Sequence, residues 1–220
     1  MRLTKKWLLP LLAGCLSIPA LSAHAGGEGM YAVTITNITR GVIFTPIMVA
    51  THKKGHPLFM LGSPASDELV AVAESGNTDP LADKLTMSGM AYDTKSSGAP
   101  LFPGKSVTVN VMMHEDFNYV SVVSMMLPTN DGFIAVNGVK GPKGKKMSTV
   151  MSAGYDAGSE TNDEQFASIP GPFGGEGLSP NDHGEGYVHI HGGIHGIADV
   201  VAADHDWRNP TAKISIKRIK

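Results

Sequence analysis

The sequence predicts an all-β fold, an antiparallel β-sandwich with a short helical insertion. Three observations carry this prediction. Residues 31–38 (Tyr-Ala-Val-Thr-Ile-Thr-Asn-Ile) alternate apolar and polar side chains and are rich in β-branched residues, the pattern of a half-buried strand. Runs of this kind recur between turns, and 26 Gly and 14 Pro in the chain argue against a helical bundle. Residues 118–127 are apolar nearly throughout, as expected of a central strand covered on both faces.

The elements follow in order. Residues 1–25 read as a secretory signal peptide. Arg2, Lys5 and Lys6 form a charged n-region, residues 7–21 are largely apolar, and Ala23-His24-Ala25 is a small-x-small cleavage site. Leu12-Ala13-Gly14-Cys15 also fits a lipobox, in which Cys15 would be lipidated. Plain export is favoured because the apolar run continues past Cys15 into the cleavage site. Pro10 and Pro19 break the run and argue against a transmembrane anchor. Residues 31–38 and 42–49 are expected to pair as a hairpin about the turn at 37–41, with Pro46 marking an edge or a bulge. Ser66 is placed to cap a short helix that Gly76 would end, and residues 80–85 add another helical turn. Strands are expected over 106–111, with its valines on one face, then 118–127, 133–136, 148–151, 187–191 and 213–219. Lys140, Lys143, Lys145 and Lys146 read as a solvated hairpin tip. Residues 169–186 form a Gly/Pro-rich loop, long enough to be functional or mobile. Residues 26–220 are read as a single domain, without internal repeats or a linker, and long enough for a substantial core.

Cleavage after Ala25 would remove three of the 18 Lys and Arg and the only cysteine. That leaves 15 basic residues against 20 Asp and Glu, a formal charge of −5. The mature chain would then have no disulfide, thiolate metal site or cysteine nucleophile. Its mild acidity argues against nucleic acid as a partner. No Gly-x-Ser-x-Gly elbow and no phosphate-binding glycine loop between a strand and a helix is present, so the chain is read as non-enzymatic.

Two groups of residues have the chemistry of a metal site. Oxygen donors are dense in the turn at 128–132 and in residues 155–164 (Tyr-Asp-Ala-Gly-Ser-Glu-Thr-Asn-Asp-Glu). Hard oxygens on strand-end loops suit a calcium-like cation, which takes six to eight of them. Asn130, Ser159, Asn162 and Asp163 are possible helpers. The bland alternative is that these are turn and cap residues. Histidine is the second group. His189 and His191 point to one face of a strand, and with His195 they form a candidate site for Cu2+ or Zn2+. His205, between Asp204 and Asp206, and His114 are further candidates; the bland alternative is histidines bonded to nearby loops. A metal centre with an open position has the chemistry for hydrolysis, but no residue specifies a substrate. The twelve methionines are read as core packing.

Ser124-Met125-Met126-Leu127-Pro128-Thr129-Asn130-Asp131-Gly132, followed by Asp156-Ala157-Gly158-Ser159-Glu160, resembles the spondin N-terminal domain. The resemblance covers residues 30–220 and is strongest over 121–164. It implies a C2-like antiparallel β-sandwich with a Ca2+ ion at one edge. Carried over by position, the ion's acidic ligands are Asp131, Asp156 and Glu160. Glu160 stands where animal members often have Asp. The resemblance also implies an extracellular or envelope surface partner, in animals a matrix or glycan-bearing one. It supplies no histidine site.

Overall fold

The computed structural model describes residues 27–175, 177–178 and 183–220. The signal peptide and Cys15 lie outside the described residues, as does part of the Gly/Pro-rich loop. The elements run β1 (Gly29–Asn37), β2 (Ile43–Phe44), β3 (Met48–His52), α1 (Asp67–Ser75), α2 (Asp79–Met87), β4 (Ala91–Ser96), β5 (Ser106–Met113), β6 (Tyr119–Leu127), β7 (Gly132–Lys140), β8 (Met147–Ser152), β9 (Gly154–Asp156), β10 (His189–Ile190), α3 (Ala202–His205) and β11 (Ala212–Arg218). Two short 3-10 turns, Phe166–Ser168 and Gly171–Phe173, lie between β9 and β10.

The strands form two antiparallel sheets. One has the order β5-β1-β11-β8. The other runs β10-β9-β7-β6-β3-β4, with β2 also paired to β6. The alternation of β1 decides its two faces. Val33 and Ile35 are fully buried with Ile214 and Ile216 of β11. Thr34 and Thr36 face outward and meet Thr108 and Ser106 across the ladder at 2.7 and 2.8 Å. The inward residues pack on Val49, Val120, Val122, Ile134 and Val136 of the second sheet. Burying each such side chain contributes about 1.5–3 kcal/mol.

The second sheet is covered on its other face too. Met48, Ala50, Val123, Phe133 and Ala135 pack beneath the helical excursion, against Leu69, Val72 and Ala73 of α1 and Leu81 and Leu85 of α2. That double cover explains why β6 is apolar almost throughout. Ser66 accepts the Leu69 N–H, and Gly76 closes α1 in the left-handed conformation at φ 69°.

Three sequence expectations need correction. Residues 31–38 and 42–49 are not a hairpin: β1 pairs with β5 and β11, while β2 and β3 belong to the other sheet. Asn37 turns the chain between sheets, its amide donating to Val42 O and Leu101 O at 2.7 and 3.1 Å. The lysine loop is not a hairpin tip either, because β7 and β8 lie in different sheets. The predicted strand at 187–191 shrinks to the two residues of β10. β4 was not anticipated, since the polar run Ala-Tyr-Asp-Thr-Lys-Ser carries no apolar face; it is an edge strand.

The chain closes on itself. Met30 N donates to Lys220 O at 3.1 Å and Ile219 N to Met30 O at 2.8 Å.

Candidate metal centre

One row of the second sheet builds the site. Gly132, the first residue of β7, pairs with Asp156, the last of β9, and Asp156 pairs with His189 of β10. Asp131 immediately precedes that row. It ends the turn from β6, where Thr129 Oγ1 donates to Met126 O and accepts the Gly132 N–H at 3.0 Å. The antiparallel register therefore brings together one loop at 131, a second at 156–160 and a third at 185–191.

Close approach requires glycine twice. A Cβ on Gly132 would lie 2.5 Å from Thr129 Oγ1 and 3.0 Å from His191 Cδ2, so the missing side chain makes room for the imidazole. Gly158 has φ +67°, and a Cβ there would run into the Tyr187 backbone. The segment carrying His189 thus lies tight on the acidic loop, with Gly186 N donating to Gly158 O at 2.8 Å.

Asp131 and Asp156 are both fully buried. Asp131 Oδ2 accepts from Ser159 N (2.8 Å), Ser159 Oγ (3.2 Å) and Glu160 N (3.1 Å). Its other oxygen, Oδ1, is buried without a hydrogen-bond partner. Burial, reinforced by the Asp156 charge, pushes the Asp131 carboxyl up to about 7. Asp156 Oδ1 accepts Gly158 N and Oδ2 accepts Asn162 Nδ2, each at 2.8 Å. Glu160 is buried at 1% exposure, its N–H fixed on Asp131.

The two histidines flank Asp156. His189 Nε2 is 3.5 Å from Asp156 Oδ1 and 3.4 Å from Glu185 Oε2. His191 Nε2 is 3.9 Å from Asp156 Oδ2. For His189 burial acts to lower the pKa, but the Ile190 carbonyl, Asp156 and Glu185 outweigh it and hold it above the ordinary value. Burial, partly offset by Asp156, lowers that of His191. Among the described residues, Asp156, Glu185 and His189 place three ligand atoms within 4.8 Å of one another.

The acidic and histidine groups, separate in the sequence, therefore meet at Asp156. Other candidates lie apart. His195 is 62% exposed at its side chain and faces Glu164 Oε1 at 3.5 Å. His205 Nδ1 donates to Gly41 O, and His114 sits by Asp116, Tyr92 and Phe117. Asp163 takes the turn role: its oxygens accept from Asn130, Gln165 and Ser168.

Two residues have roles that sequence reasoning did not assign. Glu185 belongs to a glycine-flanked loop, and only its place four before His189 hints at it. Glu164 is buried at φ 55° and its carboxylate accepts the N–H groups of His195, Gly196 and Ile197 at 2.5, 2.6 and 2.9 Å. It anchors the loop beyond β10 without touching Asp156.

A family model described as Spondin_N matches residues 36–163, more than half of the chain. The match contains Asp131, Asp156 and Glu160; Glu185, His189 and His191 lie beyond it. No curated protein matches the chain.

Proposed function

Since the chain belongs to the spondin N-terminal domain family, we propose that it is an exported, non-enzymatic binding module whose surface loops are fixed by a divalent cation at the Asp131–Asp156 edge. Asp131, Asp156 and Glu160 are the oxygen donors of this reading. The observation that carries it is the buried Oδ1 of Asp131, which has no hydrogen-bond partner beside a second buried carboxylate. Two such charges repel unless a cation neutralises them, and an unpartnered buried oxygen is costly. A bound ion supplies both the charge and the missing partner. The same edge presents the loops at 157–164 and 185–191, so the ion would set the shape of a surface offered to an envelope or extracellular partner.

No helix among the described residues is long and apolar enough to cross a membrane. Export rests on the N-terminal signal pattern and on the family.

Melting curves of the tag-free mature protein, with and without EDTA, test the cation. The chelator is expected to lower the melting temperature, and added divalent ion to restore it. An unchanged curve together with no metal by elemental analysis would sink the reading.

A further inference from the structure

The ring nitrogens separate the roles of the two histidines. A carbonyl oxygen only accepts, so His189 Nδ1, 3.0 Å from Ile190 O, must carry a proton. In the neutral ring its Nε2 is then a lone pair, directed at Asp156 and Glu185. A metal-binding imidazole has this arrangement, one nitrogen donating to the backbone and the other free. His191 is the reverse. Its Nδ1 accepts the Gly193 N–H at 3.0 Å, so in the neutral ring the proton sits on Nε2, which faces Asp156 Oδ2. A nitrogen bearing a proton cannot ligate.

The oxygen count points the same way. Asp156 already spends one lone pair of each oxygen on Gly158 and Asn162, and Asp131 has one oxygen engaged by three donors. Among the described residues, the group whose ligand atoms lie within 4.8 Å of one another is Asp156, Glu185 and His189, two carboxylates and one nitrogen. Calcium wants six to eight oxygens, whereas zinc is satisfied by about four donors of mixed N and O type.

We propose that Asp156, Glu185 and His189 hold zinc rather than calcium, and that His191, whose Nε2 stands 3.9 Å from Asp156 Oδ2, is a positioning residue beside the site and not a ligand. The proposal rests on a cation occupying this edge, as argued under Proposed function, and adds its identity and two ligands that lie outside the family match.

The test is calorimetric titration of the chelator-stripped mature chain with ZnCl2 and, separately, CaCl2. One zinc per chain is expected. His189→Gln should weaken it at least about 100-fold and Glu185→Gln, at an exposed loop position, about tenfold. His191→Gln should stay within about tenfold of wild type. His195→Ala should change nothing. In the wild type, ring 15N shifts should move at His189 Nε2 on adding zinc while His191 keeps its Nε2 proton. Zinc binding indifferent to both His189→Gln and Glu185→Gln overturns the proposal, as does a His191→Gln loss equal to that of His189→Gln. Calcium bound one per chain, with His189→Gln without effect, overturns the zinc set but leaves the cation reading standing. If neither ion binds, both fall.

Discussion

Asp131 satisfies one carboxylate oxygen with three donors and buries the other with none, and this asymmetry makes it separable by mutation. Asparagine is isosteric. Its carbonyl can keep the Ser159 and Glu160 hydrogen bonds while its amide donates into the space beside Asp156. Asp131→Asn is therefore expected to stabilise the cation-free protein by about 1 kcal/mol, roughly 2–4 °C in melting temperature for a chain of this size. The same variant should lose the response to added metal. A cation-free variant less stable than wild type would count against a charge conflict at this site. His52, on β3 and away from the site, sets a different pH dependence. Its Nδ1 donates to Lys53 O and its Nε2 accepts from Ser121, both at 2.8 Å. Burial, with a smaller contribution from His56, holds its pKa below 6.5. The folded state thus binds this proton less readily than the unfolded one. The stability it contributes is complete above about pH 6.5 and is lost as pH falls through the lowered value. Denaturant midpoints between pH 7.5 and 5 should fall less steeply in His52→Gln than in wild type; equal slopes would refute the assignment.

Short elements hold the site, and their shortness explains what could be read from sequence. β6 is unmistakable because both its faces are covered, and the cap of α1 follows from Ser66 and Gly76. The meeting of Asp131 with Asp156 was also legible, since both lie where a strand meets a turn-forming segment. β10 was legible only as part of a longer strand over 187–191, because the extent of its pairing depends on register with β9 rather than on pattern. That register is what turns two separate groups of candidate ligands into one. Glu185 had only its spacing from His189 as a signal, and the histidine tautomers had none, since they depend on which backbone group each ring meets. Gly158 shows how narrow the tolerance is. Alanine there would adopt an unfavourable positive φ and push the Tyr187 backbone away. Gly158→Ala is expected to cost about 2 kcal/mol or more in urea unfolding and to weaken metal binding, because it separates Asp156 from His189. A stable variant with wild-type metal affinity would show that the two loops are not interlocked.

Across the whole molecule, the cation would join loops far apart in sequence, at 131, 156 and 185–189. At an ion concentration 100-fold above its dissociation constant, binding to the folded state alone adds about 2.7 kcal/mol. For a chain of this length that is roughly 5–10 °C, the size of the shift expected on adding EDTA. The described residues contain no cysteine, so such a link would be the reversible counterpart of a crosslink. The pairing of Met30 with Lys220 has a mechanical consequence. β1 and β11 are antiparallel neighbours in the middle of their sheet, so tension applied at these two residues acts across the hydrogen bonds rather than along the strands. The rungs would fail one at a time, from Tyr31–Arg218 inward to Asn37–Ala212, like a zipper. Under a stretching load between its ends the module would yield at low force. Held by one end, with the load entering through the loops, it would leave that zipper unstrained.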